Sequence, residues 1–376
     1  MIPARARGSS PQRRRRRSPR TSSSGLVGWG LVGCGWVARD HVLPGLLATP
    51  NARLVGACDR DPRAAGQVAA LVGGFTTGDL DALLDRPDLH AVYVATPNHA
   101  HAAVVAAVAA RGIPVLCEKP LAADVADARA LVAAASGCLA GTAFDQRFHP
   151  AHRRIAELVA AGELGTVTAV RIVYGCWLPP DWSPAGSSGA GIDTADDSYD
   201  NWRVDPVRAG GGALVDLAPH GIDLVGALLG DDLEWLTVLT QCRVHDYPVD
   251  DGAVLAGRTG GRVLYSAHVS FNTADPLPRR RLEVVGTRAQ LVAENTMGQT
   301  PGGTLTRIDA RTGAATGVPF DTVTSPFTAQ LAAFGAAVAG TAAWPWSLDR
   351  DLHLHELLHA AHSAGGTHID TAPEGS

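Results

Sequence analysis

From Val27 to Phe144, short apolar runs alternate with stretches of helical spacing. Val27 opens a strand that leads into a glycine turn, and Leu54–Cys58 and Ala91–Ala95 are further apolar runs. Pro114–Cys117 is another strand, and Leu139–Phe144 closes the series. Between them, Asn98–Arg111 is rich in Ala and Val, and Val125–Ala135 also has helical spacing. Strands alternating with helices predict a doubly wound parallel sheet that holds its ligands at the carboxyl edge. Beyond Phe144 the rhythm changes. Pro150–Ala161 is amphipathic and stops at Gly162, and Thr166–Tyr174 is extended. β-like runs follow at Trp235–Arg243, Ala253–Arg258, Arg262–Phe271, Arg281–Val285 and Leu305–Asp309. Strands in succession predict one open, mostly antiparallel sheet, followed by the helical pair Phe327–Ala339 and Leu348–Ser363. The expected fold class is therefore α/β. A Rossmann-type domain built on the doubly wound sheet spans 25–145 and a C-terminal α+β domain spans 146–366, between tails 1–24 and 367–376.

Composition sharpens this picture. Of 376 residues, 46% are hydrophobic and 18% charged, ample for a globular core. Residues 1–24 carry eight arginines and no acid, so the remainder has 24 basic against 37 acidic side chains, a balance of −13. A body that acidic does not grip phosphate backbones, which excludes nucleic-acid binding outside the tail. The tail is Arg, Ser and Pro and is expected to be disordered. The Arg run before apolar Gly25–Ala38 imitates a secretory signal, but cleavage there would destroy a glycine fingerprint. No run approaches the roughly 18 apolar residues of a membrane span, and a cytoplasmic location is expected. The cysteines at 34, 58, 117, 138, 176 and 242 form no C-x-x-C pair and read as free, buried thiols.

The fingerprint is Gly33-Cys34-Gly35-Trp36-Val37-Ala38, a G-x-G-x-x-A turn. Gly33 permits the tight turn, Gly35 lets a pyrophosphate approach the backbone, and Ala38 allows close helix packing. The diphosphate would rest on the N–H groups of the following helix. Asp59, 26 positions after Gly33 at the end of the next strand, suits the ribose hydroxyls and favours NAD. Arg60 beside it leaves NADP open. The loops at the carboxyl edges of later strands are Thr96-Pro97-Asn98 and Glu118-Lys119-Pro120. Lys119 is the single lysine among 32 basic residues, in a chain that otherwise uses arginine. A compact ammonium with an adjustable pKa is what guanidinium cannot supply.

Val32-Gly33-Cys34-Gly35, Thr96-Pro97-Asn98 with His101, and Cys117-Glu118-Lys119-Pro120 together resemble the Gfo/Idh/MocA family of NAD(P)-dependent oxidoreductases. The likeness covers about residues 25–366. It implies cofactor contacts from Gly33, Cys34, Gly35, Trp36, Val37, Asp59, Arg60, Thr96, Pro97, Asn98, His101, Glu118 and Lys119. It also implies a second-domain sheet face packed on another subunit, giving a homodimer or homotetramer.

In the second half, Asn201-Trp202-Arg203 precedes Gly210–Asp223. If that segment is helical, Asp216 and His220 stand at i and i+4 and share a face. A carboxylate at one ring nitrogen would orient the histidine as a general base. Asp223 is expected to support or cap, and Pro219 to kink the helix between the pair. This segment resembles the family's second motif. The resemblance makes Lys119, Asp216 and His220 the catalytic set, as in inositol dehydrogenases, and adds Trp202 and Arg203 on the substrate side. The Trp- and Pro-rich loop 175–199 is a candidate for setting substrate choice. No metal is expected. His355-Glu356-Leu357-Leu358-His359 matches H-E-x-x-H, but the third ligand of the extended zinc motif is missing.

The expected activity is NAD-dependent oxidation of a secondary hydroxyl of a sugar or cyclitol. Three alternatives stay open: an NADPH-dependent ketoreductase on a keto-sugar, an NAD-assisted glycosidase, and a binding protein with a silent site.

Overall fold

The computed structural model describes residues 25–183 and 200–365. Expectations for the two tails and for most of the loop 175–199 lie outside the described residues.

The first layer runs β1 (Val27–Val32), α1 (Leu43–Ala48), β2 (Ala52–Cys58), α2 (Pro62–Val72), β3 (Phe75–Thr77), α3 (Leu80–Leu84) and β4 (Ala91–Val94). It continues with α4 (His101–Ala110), β5 (Val115–Glu118), α5 (Val125–Ala134) and β6 (Ala140–Ala143). The strands order β3-β2-β1-β4-β5-β6 and pair in parallel. Every residue of β1 is buried because helices cover both faces of the sheet. Asp61, Asp79 and Asp124 start α2, α3 and α5 by accepting a backbone N–H two or three residues on. The order reverses between β1 and β4, which opens a crevice at the carboxyl edge.

The second layer runs α6 (Pro150–Ala160), β7 (Val167–Gly175), α7 (Pro206–Ala209) and α8 (Ala213–Leu229). Then come β8 (Leu233–Gln241), β9 (Gly252–Thr259), β10 (Leu264–Ser270), β11 (Arg280–Gly286), β12 (Ala289–Glu294), β13 (Thr304–Asp309) and β14 (Ala315–Gly317). The helices α9 (Pro326–Val338) and α10 (Leu348–Gly365) finish the described chain. This sheet orders β14-β13-β12-β11-β7-β10-β9-β8, with β7 and β10 parallel and the other pairs antiparallel. Burial alternates along β9 and β10, so one face meets α8 and the other stays open.

Three expectations change. Helix α8 continues through Pro219 to Leu229, because packing on nearly all sides holds the helical path despite the lost N–H. The stretch Pro206–Leu229 is long and apolar enough to cross a membrane by length and composition. Of its most apolar window, 83% is buried inside the molecule, as suits a helix enclosed by core. Third, α9 follows the second sheet in sequence but completes the first core. Its Phe327, Leu331, Phe334 and Val338 pack with Trp29, Leu43 and Leu46 of the nucleotide half.

Candidate active site

A cavity of about 960 Å³ runs along the carboxyl edge of the first sheet to the inner face of α8. At one end lies the glycine turn. Gly33 has φ +89°, and a Cβ there would stand 2.5 Å from the Ala95 carbonyl oxygen. Gly35 is exposed to the cavity, and a Cβ placed on it would meet nothing within 4 Å. A ligand group can therefore come down onto the backbone N–H groups, which is what a pyrophosphate requires. Asp59 fastens this turn: Oδ2 accepts from Cys34 N at 2.7 Å and Oδ1 from Asp61 N at 2.8 Å. Arg60, Arg39 and Arg63 line the same end, with Arg39 donating to Gln67. Burial pushes the Cys34 thiol up to about 12, so it stays neutral beside Asp59. These residues fit a nicotinamide dinucleotide, and Asp59 and Arg60 line the same end of the cavity as the glycine turn.

Thr96, Pro97 and Asn98 form the middle of the cavity, and Asn98 donates its amide N–H to the Ala209 carbonyl at 2.8 Å. His101 does not reach it. This ring is fully buried, 3.0 Å from the Pro120 carbonyl and 2.9 Å from the Thr96 carbonyl. Burial lowers it to about 4. The expected cofactor contact is thus corrected to a tie between the two loops. At position 101 the residue is already the first of α4, and its side chain turns under the loops rather than over them.

At the far end, Lys119 Nζ donates to Asp216 Oδ1 at 2.7 Å and to the Asp216 carbonyl at 2.9 Å. Burial works to raise the Asp216 carboxyl, but Lys119 and Arg203 hold it below the usual carboxylate range. Beside Lys119, Glu118 accepts from the Tyr93 hydroxyl at 2.6 Å. Burial pushes Glu118 up to about 7. Arg203 lies over the rings of Trp202, Trp36 and Trp182, at 4.7, 5.5 and 6.0 Å from their centroids.

The expected Asp216–His220 pair does not form. His220 Nδ1 lies 3.1 Å from Asp145 Oδ1, both side chains 4% exposed, in a close contact rather than an aligned hydrogen bond. Spacing of four gives a shared helix face, yet Lys119 draws Asp216 toward the β5 loop. Asp223 neither caps nor meets His220. It takes a bidentate contact from Arg147 at 2.5–2.9 Å and another from Arg350 at 2.6 Å, fully buried. The cysteines are free, but only Cys34, Cys58 and Cys117 are buried, and Cys242 is exposed. His355 and His359 lie with ring centroids 4.3 Å apart and planes tilted by 41° on α10, and among the described residues no group of three or more His, Cys, Asp or Glu could hold a metal.

Residues 27–138 match the model of the oxidoreductase family with an NAD-binding Rossmann fold, and 152–292 match the GFO/IDH/MocA C-terminal domain. The 1,5-anhydro-D-fructose reductase of Ensifer adhaerens is 31% identical, over 83% of this chain and 88% of its own length. The chain belongs to the Gfo/Idh/MocA family. Among solved structures, levoglucosan dehydrogenase in complex with NADH and levoglucosan aligns with TM-score 0.77 at 21% identity, covering 90% of this chain and 97% of the other. A 3-ketoreductase from Actinomadura kijaniata with NADP and TDP-benzene aligns with TM-score 0.74 at 24% identity, over the same shares. This Gfo/Idh/MocA protein is thus an oxidoreductase with a nicotinamide-dinucleotide fold.

For this Gfo/Idh/MocA member, sequence reasoning missed Asp145 and Tyr174, which also line the cavity. Tyr174 meets the His220 ring edge-on at 5.6 Å. Asp145 had a signal. It directly follows the last of those strand runs, Leu139–Phe144, at the same carboxyl edge that pointed to Thr96 and Glu118.

Proposed function

We propose that this enzyme reversibly oxidises a secondary hydroxyl of a sugar or cyclitol with NAD. The reading is carried by one observation: Lys119, paired with Asp216, converges with His220 at one end of a cavity whose other end is the glycine turn. Bound there, the nicotinamide supplies hydride acceptance and return. His220 takes the hydroxyl proton as the carbon–hydrogen bond gives up its hydride. Lys119, positioned by Asp216, stabilises the developing alkoxide by charge and hydrogen bond. Trp202 and Arg203 border the substrate end. Gly33 to Val37, Asp59, Thr96 to Asn98 and Glu118 hold the cofactor, the carboxylate of Asp59 supporting NAD.

A specific observation favours a second reading, NADPH-dependent reduction of a keto-sugar. Arg60, Arg39 and Arg63 line the ribose end, where a 2′-phosphate would need them. The anhydrofructose relative is itself named a reductase. Absorbance at 340 nm decides between them, with NAD and NADP against inositols, pyranoses and levoglucosan, and with NADH and NADPH against 1,5-anhydro-D-fructose. NADH formed from a polyol supports the first reading. Turnover confined to NADPH and ketone supports the second.

The outer face of the second sheet exposes Trp235, Leu239, Val254 and Leu264, which suits a homo-oligomer. Free cysteines suit a reducing cytoplasm.

A further inference from the structure

We infer that Asp145 is the positioning residue for His220, leaving Asp216 to serve Lys119 alone. The inference rests on the proposed reaction and assigns a carboxylate to each of its two nitrogen groups, the Lys119 ammonium and the His220 imidazole. Lys119 has Asp216 at 2.7 Å, and His220 has Asp145 at 3.1 Å.

Asp145 is held from several sides. Its Oδ2 accepts from Gln146 Nε2 at 2.8 Å, which leaves Oδ1 for the histidine. With its amide turned to satisfy both, Gln330 of α9 accepts from the backbone N–H of Phe144 and Asp145 at 3.2 Å each. Two residues on, Arg147 grips Asp223, one turn past His220 on α8. Its guanidinium lies 4.8 Å from the Phe144 ring centre and 4.3 Å from that of Trp346. The turn after β6 is therefore clamped to the helix that carries His220, and all of these polar groups are buried.

The chemistry follows from the ring. A carboxylate at Nδ1 selects the tautomer protonated there and leaves the Nε2 lone pair for the substrate proton. Burial works to raise Asp145, yet His220, Gln146 and Lys119 hold it below the usual carboxylate range, so it is ionised at neutral pH. In the oxidation, the hydroxyl proton goes to His220 Nε2, the hydride goes to oxidised cofactor, and the carbonyl forms. The imidazolium then faces an unmatched carboxylate, since Lys119 already matches Asp216. In the reductive direction the same proton returns to the alkoxide.

The test is a double-mutant cycle with Asp145→Asn, His220→Gln and the double variant, assayed at 340 nm with levoglucosan, myo-inositol and 1,5-anhydro-D-fructose. Asp145→Asn should lower kcat on the order of 10²-fold, within the usual worth of acid–base catalysis. KM and the cofactor Kd, read by NADH fluorescence, should stay within about threefold, as for a group felt in the transition state. In the His220→Gln background, Asp145→Asn should cost almost nothing more. Losses that multiply in the double variant would overturn the inference. If wild-type protein turns over none of these substrates, the reaction reading fails first. The positioning claim then stands on the ¹⁵N spectrum of the wild-type histidines, with His220 assigned by its loss in His220→Gln. A neutral His220 protonated on Nδ1 upholds it, and one protonated on Nε2 overturns it whatever the kinetics.

Discussion

Lys119 shows how far a single residue can be read. Its ammonium survives in a chain of arginines, and it stands at the carboxyl end of β5, 2.7 Å from Asp216. Lys119→Ala should cut turnover by roughly 10²–10³-fold, the usual loss on removing one donor to a developing oxyanion. Cofactor binding, followed by NADH fluorescence, should largely persist. Near-wild-type rates would remove Lys119 from the mechanism. Its neighbour Glu118 makes a prediction of opposite character. Folded Glu118 holds its proton up to about 7, against an ordinary value of 4.5, so the folded state binds that proton more tightly than the unfolded chain does. Its contribution is present below about pH 4.5 and is lost as pH rises through about 7. The loss is at most about 3 kcal/mol, less where water in the cavity screens the carboxylate. Glu118→Gln stays neutral, so its stability relative to wild type should improve between pH 5 and pH 8 in urea unfolding. Parallel pH dependence in the two proteins would refute this.

At the scale of the element, α8 decides the site. The run Gly210-Gly211-Gly212 leads into it because backbone passes backbone there: a Cβ on Gly212 would stand 2.0 Å from the Asp250 carbonyl oxygen. The Asp250 carboxylate accepts from Gly212 N at 3.0 Å and Leu214 N at 2.7 Å, capping the helix from a distant loop. Asp250→Ala should destabilise the protein by about 1–2 kcal/mol, as loss of a helix cap does. It should also lower kcat, because the same first turn carries Asp216. A drop in the thermal midpoint with kcat intact would separate the cap from the site. The shared face of Asp216 and His220 was legible in Gly210–Asp223 once that segment is helical, whereas the unbroken run to Leu229 was not. Nor was the partner of each side chain. An i, i+4 spacing fixes which residues share a face, whereas ion pairing depends on what the opposing loops present.

For the whole molecule, the sharpest prediction concerns cofactor choice. A ligand that binds the folded state at about 100 times its Kd stabilises by about 2.7 kcal/mol, so thermal midpoints measured with NAD and NADP report which dinucleotide the cavity prefers. NAD should give the larger shift, and Asp59→Asn should narrow the gap. An equal gap in the variant would count against Asp59 as the discriminating group. Sequence by itself determined the two layers, the parallel-then-antiparallel change and the glycine turn, because hydrophobic period and turn chemistry are local properties of the chain. It also determined the lone lysine at a strand end. Only the tertiary structure decided that α9 returns to fill the first core, that His101 is a buried tie, and that Asp145 rather than Asp216 meets His220. Those outcomes join residues from 5 to 305 positions apart. No local period encodes such meetings. They follow from which charges and apolar faces remain unmatched once the two sheets have packed.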